Sequence, residues 1–403
     1  MTKQIKDPVH GYIDVPNELM PFLDSALVQR LHHIRQLGFA YLVYPGANHT
    51  RFEHSLGTMA LADRVCRKLD LEKDDRILVS ASALLHDIGH GPFSHASERL
   101  AQEFGAFSHD DIMVFQNELQ PLVAELGTDV KEIAGIISGK HHLAPIIHGD
   151  LDVDRMDYLL RDAHYTGVPY GTIDVNRLIQ SLSLDSNEGL FLKEEGLGAA
   201  EALLIARTLM GPSVYFHHVS RIAEEMFLHA GKHVFTPESI RGFLRMDDGT
   251  ASTLLLNSHS SCARNMMSRI RSRRLFKRAV YIGRSQINME RITNISRDER
   301  ERIRLEIAEN AHINEESVIL DIPTFRHDMH MQVKVKNLHD FVPFDDLIPL
   351  LTLMNQTRRE QWRLGIYTPQ EHLEKVASAA VSVLGIQKPT KQYKLSEIEL
   401  DES

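Results

Sequence analysis

Histidine and aspartate gather in four stretches of this chain: Arg51-Phe-Glu-His54, His86-Asp87-Ile-Gly-His90-Gly-Pro-Phe-Ser-His95, His109, and Asp154-Arg-Met-Asp-Tyr158. Imidazole serves both as a metal ligand and as a general acid or base, and carboxylates complete N/O coordination sets with it. Together the stretches describe a buried His/Asp metal site with further histidines around it, chemistry suited to metal-dependent phosphohydrolysis. A His-Asp pair alone carries no weight, because His86-Asp87, His109-Asp110, His327-Asp328 and His339-Asp340 all occur. Context separates them. His86-Asp87 ends an amphipathic stretch and is followed by Gly89, Gly91 and Pro92, so a tight turn can aim both side chains at one ion. His54 and Asp154 each open a predicted helix and could complete the set. A helix cap or a satisfied core histidine explains any one of these residues singly, but a cap does not require Gly-His-Gly-Pro-Phe-Ser-His after it. Asp154, Tyr158 and Asp162 fall at i, i+4 and i+8, so one helix face presents a carboxylate, a ring and a second carboxylate in line, a layout suited to a nucleotide laid along it.

Helices must hold most of these groups. Apolar spacing of three and four predicts helices over 26–37, 56–69, 75–87, 130–137, 153–163, 175–182 and 198–230. Residues 1–22 read as an extended lead-in or hairpin. From about residue 278 the texture changes: 278–282, 317–322 and 329–335 look like strands, with a charged helix over 298–310 and helices again over 344–351 and 369–384. The expected fold is mainly α: a helical domain over 1–278 with its lead-in, a smaller C-terminal α+β unit over 279–388, and a polar tail over 389–403.

The 403 residues are 43% apolar and 25% charged, ordinary soluble usage, and suffice for one large core plus a satellite. No apolar run approaches the ~18 residues of a membrane span, and the start MTKQIKDPVHG lacks a signal-peptide core, so the expected location is cytoplasmic, with no membrane partner. Only Cys66 and Cys262 occur, without paired spacing, and are expected to be core or surface thiols rather than a disulfide. A formal charge of -10 argues against a surface that tracks nucleic acid throughout.

These motifs resemble the HD-domain superfamily of metal-dependent phosphohydrolases, and within it the branch of dGTPases and the sterile-alpha-motif-and-HD-domain deoxynucleoside triphosphate triphosphohydrolase. The resemblance runs over residues 3–280, through Asp7-Pro-Val-His-Gly, Gln29-Arg-Leu, Gln36-Leu-Gly, Arg51-Phe-Glu-His-Ser-Leu-Gly and Asp152-Val-Asp-Arg-Met-Asp-Tyr. The sterile-alpha-motif part has no counterpart in this sequence. The resemblance implies that His54, His86, Asp87 and Asp154 bind one divalent transition metal (Fe, Mn, Ni, Co or Zn), with Mg accompanying the triphosphate. Arg51, His90, His95 and Arg207 would face phosphate, and His109 would be the catalytic histidine. Gln36 and Asp162 would contact the sugar 3'-hydroxyl, Leu37 would crowd the sugar, Tyr158 would line the substrate's path, and Tyr215 would stack on the sugar. The implied reaction is attack at the α-phosphorus of a dNTP, yielding deoxynucleoside and intact triphosphate. Arg264 to Arg278 holds seven basic residues, by default a solvated helix face, and within it Arg273-Arg-Leu-Phe-Lys277 resembles an effector-nucleotide segment. Asp24, Gln29 and Arg177 match further effector positions, which implies a dNTP or GTP effector and a homo-oligomer, dimer or tetramer. Two positions depart from the pattern: His32 stands where the family has an arginine, and Lys6 where it has an asparagine. A broader HD phosphohydrolase, acting on monophosphates or as a phosphodiesterase, and a nucleotide-binding regulatory protein remain the competing readings.

Overall fold

Alternating polarity opens the chain and produces a hairpin. In the computed structural model, which describes residues 3–386 apart from 107, 294, 325–327 and 338–339, β1 (Lys3–Asp7) pairs antiparallel with β2 (Gly11–Val15). Ile13 and Val15 face the core while Tyr12 and Asp14 face out, the period-two signature of a half-buried strand. The expected tail over 389–403, with His327 and His339, lies outside the described residues.

The chain forms two compact units, Met1–Arg273 with Met329–Met354, and Arg274–Asp328 with the described residues from Asn355 on. In the first, α1 (Arg51–Lys68) packs against α2 (Lys73–Leu85) and α4 (Val153–Thr166), with α3 (His95–Glu103) between them in sequence. Ile77, Leu78, Ala81, Leu84 and Leu85 make the buried stripe of α2. Helix α1 is buried on most sides, which marks it as the central helix rather than a surface one. Its start is fixed by a capping box, in which the Thr50 amide donates to Glu53 Oε2 at 2.6 Å. Next come α5 (Leu197–Met210), α6 (His218–Lys232) and α7 (Ser261–Arg271), the last two packed together.

Three expectations change. The 26–37 helix stops at Arg30: Leu31–His33 tightens into a 3-10 turn, Ile34 is extended, and Arg35 bridges to Thr50. Backbone pairing accompanies the break, since Ile34 O accepts from the Arg51 N–H at 2.9 Å and the Gln36 backbone N–H donates to His49 O at 3.0 Å; the Arg30 guanidinium, donating to Ile88 O at 2.6 Å, His90 O at 2.9 Å and Met246 O at 2.9 Å, ties this segment to the turn after α2. The 198–230 helix is interrupted where Gly211-Pro212 opens a π-helical turn, Gly211–Tyr215, before α6 begins; proline removes a helical N–H, and such turns recur at functional sites. The 329–335 stretch belongs to the first unit. Only β7 (Lys334–Lys336) is a strand there, paired parallel to β4 (Gly189–Lys193), which pairs with β3 (Leu182–Asp185), while β8 (Phe341–Pro343) closes the order β3-β4-β7-β8. Val335, Phe344 and Ile348 join the large core. The α+β unit is therefore not the contiguous 279–388.

The second unit has its own core. β5 (Lys277–Ile282) and β6 (Ile319–Asp321) flank β9 (Leu364–Thr368) antiparallel, and the helices Arg297–Asn310 and Leu373–Leu384 pack together beside them. Ile303, Ile307, Leu364, Ile366, Val376 and Ala380 are buried together.

Candidate metal centre and active site

The three central helices bring four ligating side chains to one point. His54 lies one turn into α1, His86 and Asp87 follow the end of α2, and Asp154 begins α4. His54 Nε2 is 2.9 Å from Asp154 Oδ1, 3.3 Å from His86 Nε2 and 3.7 Å from Asp87 Oδ2. His86 Nε2 is 3.4 Å from Asp87 Oδ1 and 3.7 Å from Asp154 Oδ1. The far nitrogen of each imidazole is already committed: His54 Nδ1–H donates to Asp157 Oδ2 at 2.7 Å, and His86 Nδ1–H to Ala83 O at 2.7 Å. Such outer bonds fix the ring and tautomer so that Nε2 faces a metal. Two imidazole nitrogens and two carboxylates suit a divalent ion, and the residues present fit one. The carboxylates dominate the electrostatics of the cluster. Burial opposes charge on His54, but hydrogen bonds to Asp154 and Asp157 outweigh it and raise the ring to about 10. Asp87 sits well below the usual carboxylate range, because Arg51, His86 and His54 outweigh its burial. The cluster draws positive charge to its centre.

Behind this centre stands a layer to which sequence reasoning gave no role. Asp157 is fully buried and accepts from His54, from His10 Nε2 at 2.6 Å and from Arg161 at 2.9 Å through both Nε and Nη2. Arg161 reaches on to Asp7 Oδ2 at 2.8 Å. A methyl group on Gly57 would lie 2.0 Å from Asp157 Oδ1, so glycine is what lets α1 approach this pair. The signal was available: Asp157 follows Asp154 by one helical turn, within the motif already singled out.

The turn after α2 carries the other histidines. Phe93 and Ser94 both take left-handed backbone conformations, with φ of 60° and 56°. Strain of this kind persists only where surrounding contacts hold it. Here the Phe93 amide donates to Asp248 Oδ1 at 2.7 Å, Ser94 Oγ donates to Arg35 O at 2.6 Å, and Arg51 Nε donates to Ser94 Oγ at 2.8 Å. Arg51 Nη1 donates to Asp87 Oδ2 at 2.6 Å, while its Nη2 is buried with no partner in the chain, as is His90 Nδ1. His90 stacks on His109 with ring centroids 3.9 Å apart and lies 3.4 Å from Asp87 Oδ1. The two stacked rings differ in charge. Burial, then Arg51 and His109, pushes His90 well below its ordinary value, so it is neutral. His109 resists burial because Asp110 at 3.1 Å and Glu98 at 2.8 Å hold its proton, raising it to about 10. His95 is exposed and bonds Glu98 at 3.2 Å. Glu98, one turn into α3, was missed; nothing in Ser-Glu-Arg distinguishes it from a solvated helix face. Gly89 is needed here as well, since a methyl group on it would meet His109 O at 2.0 Å.

Further along α4, Tyr158 packs edge-on to His54 and to Tyr215, and burial raises its phenol to about 12. Arg207, half-buried on α5, lies near enough for its charge to act on that phenol. Asp162 is buried between two donors, His49 Nε2–H at 2.8 Å and the Tyr215 hydroxyl at 2.8 Å. The π-helical turn delivers Tyr215 to this place, and His49 was not foreseen. Gln36, whose backbone N–H donates to His49 O at 3.0 Å, is buried with its side-chain Oε1 unpartnered, and Leu37 packs at the edge of the core.

The effector positions are dispersed. Asp24 is exposed 3.8 Å from Lys3, Gln29 donates to Leu23 O at 2.9 Å, Arg177 donates to Glu195 O at 3.1 and 3.0 Å, and Arg273 donates to Leu42 O at 3.1 Å. Among the described residues none of these four bonds another. Lys277 opens β5 in the second unit. His32 stacks on Phe52 with centroids 3.6 Å apart, and Lys6 lies over the Tyr12 ring.

Comparison with known proteins places this geometry. The HD domain model matches residues 51–162, the stretch holding all four ligands, and the HD associated region model matches 173–395, more than half of the chain. This chain belongs to the HD-domain family. The Methanocaldococcus jannaschii protein MJ1154 is 33% identical over 93% of this HD-domain chain and 81% of its own length. The deoxynucleoside triphosphate triphosphohydrolase SAMHD1 of Bos taurus is 29% identical over 72% of the chain; the match covers 60% of that enzyme's length. Among solved structures, a hypothetical protein from Aquifex aeolicus matches with a TM-score of 0.73 at 30% identity, covering 94% of this chain and 100% of that one. A phosphohydrolase from Bacteroides thetaiotaomicron matches with a TM-score of 0.72 at 26% identity, covering 92% and 100%. The HD-domain protein is a metal-dependent phosphohydrolase with a His/Asp centre. Among its described residues no helix is long and apolar enough to cross a membrane.

Proposed function

We propose that this HD-domain phosphohydrolase cleaves deoxynucleoside triphosphates into deoxynucleoside and intact triphosphate. The observation that carries this reading is the far end of α4. Asp162, held by His49 and Tyr215, lies two helical turns from Asp154, with Tyr158 between and the unpartnered Gln36 Oε1 nearby. A nucleotidase that recognises only phosphate has no use for that polar and aromatic set, whereas a sugar 3'-hydroxyl and ring face would engage it. At the other end Arg51 Nη2 is a buried donor without a partner in the chain, fitted to a phosphate oxygen.

His54, His86, Asp87 and Asp154 would hold a divalent metal, which would supply Lewis acidity toward phosphate, with Mg accompanying the triphosphate. The chain's own groups do the rest. Arg51 and Arg207 offset phosphate charge, Leu37 and Tyr158 shape the sugar's path, and Tyr215 stacks on the sugar. Water adds at the α-phosphorus and the bond to the 5'-oxygen breaks, so that oxygen needs a proton. His109, protonated through Glu98 and Asp110, is suited to donate it, and His95, sharing Glu98, sits at the solvent side. The exposed Asp24, Gln29, Arg177 and Arg273 of the first unit would offer contacts to a dNTP or GTP effector that assembles a homo-oligomer, and Lys277 of the second unit would offer a further exposed cation.

The test is product identification after metal-replete protein is incubated with each dNTP, alone and in mixtures. Deoxynucleoside plus triphosphate is expected, abolished by Asp154→Ala. Monophosphate or free phosphate as product would overturn the reading, and mixtures that turn over faster than single nucleotides would support an effector.

A further inference from the structure

We infer that His229, His233 and Cys262 form a second metal site, one that takes a zinc-class divalent ion and staples α6 to α7. Their ligating atoms, one per residue, all lie within 4.8 Å of one another. The placement follows from the helices. His229 and His233 are four residues apart at the C-terminal end of α6, on one face, and Cys262 lies in the first turn of α7, just after the capping residue Ser260. The two imidazole rings are 5.1 Å apart and inclined at 69°, so they are not stacked and a nitrogen of each can turn to a shared point. Cys262 is buried, His229 half-buried and His233 exposed, so an ion would enter from the His233 side and keep a solvent ligand there.

Helix electrostatics favour the same occupant. The amide end of α7 stabilises the thiolate that must ligate, and the carbonyl end of α6 stabilises a cation. Lys232, the adjacent cation on α6, is engaged by Glu103 at 2.8 Å. Two nitrogens and one sulfur make a softer set than the two-nitrogen, two-carboxylate centre formed by α1, α2 and α4. The softer set selects zinc or cobalt over magnesium and manganese. The consequence reaches the active site through packing: Phe227 of α6 stacks edge-on against Phe93, in the strained turn that carries His90 and His95. An ion locking the end of α6 would steady that turn without touching substrate, making the three ligands positioning residues.

Cobalt titration of the full-length, metal-free protein tests this. A second equivalent is expected, with a thiolate-to-cobalt charge-transfer band in the near ultraviolet that zinc bleaches. Cys262→Ser and, separately, His233→Ala should remove the band and weaken the second equivalent by more than about tenfold, leaving the first equivalent intact. His233 is exposed, so its variant separates loss of the site from loss of the fold. Saturation at one equivalent without the band, or a band that survives Cys262→Ser, would overturn the proposal.

Discussion

His109 holds a proton that its stacked neighbour His90 cannot: His90 is fully buried, whereas His109 is only partly buried and is flanked by two carboxylates. The ring is raised from 6.5 to about 10. Because the folded value lies above the unfolded one, its ion pairs with Glu98 and Asp110 stabilise fully below about 6.5 and are lost as pH rises toward about 10. Activity that needs this proton should fall along the same alkaline limb. Glu98→Gln removes one partner and should bring that limb down by about one pH unit or more, read from kcat/KM against pH; an unmoved limb would take His109 out of the acid role. The four residues that converge at this centre were legible in the sequence because His86-Asp87 and Asp154 sit in long ordered motifs. His49 and Glu98 were not, because a supporting carboxylate or imidazole is defined by what lies across from it, and local sequence does not say which face meets which neighbour.

At the scale of elements, apolar period was a good guide where a helix packs on one side. Residues 130–137 form a helix over the stated bounds, Val130–Ile137. The guide failed where backbone groups were needed elsewhere. Apolar spacing continues past Arg30, yet the backbone of Ile34 and Gln36 is bonded to Arg51 and His49, and Gly211-Pro212 breaks a pattern that otherwise runs to residue 230. β9 was unseen because a fully buried central strand of five residues shows no alternation. The close approach of α1 to α4 gives a sharp expectation. Gly57→Ala drives a methyl into the Asp157–Arg161 pair and should cost about 3 kcal/mol or more in denaturant unfolding, together with weakened metal binding. A variant as stable as the parent would show that α1 can shift without disturbing His54.

At the scale of the molecule, composition and texture marked a large helical part and a smaller mixed one, and the change near residue 278 falls close to the boundary at Arg273. Texture identifies strands but not the sheet they join, so the return of Met329–Met354 to the first unit was invisible. That return is structural rather than decorative. It supplies β7 to the open edge of β4 and buries Val335, Phe344 and Ile348 in the large core. A chain ending at residue 278 keeps all four metal ligands but leaves the β4 edge and that apolar surface uncovered, and it should elute as aggregate in size-exclusion chromatography. A monodisperse, metal-binding product would mean that the segment is dispensable.

The same excursion sets a timetable for synthesis. The catalytic unit is interrupted after Arg273 and finished only at Met354, 81 residues later. At ribosomal rates of about 5–20 residues per second, roughly 3–13 s pass after Arg273 before β7, which pairs with β4, has been made. During that interval the nascent chain presents an unpaired strand edge next to Phe191 and Leu192, so its yield in a cell should depend on whatever shields nascent chains more than on the stability of the finished protein.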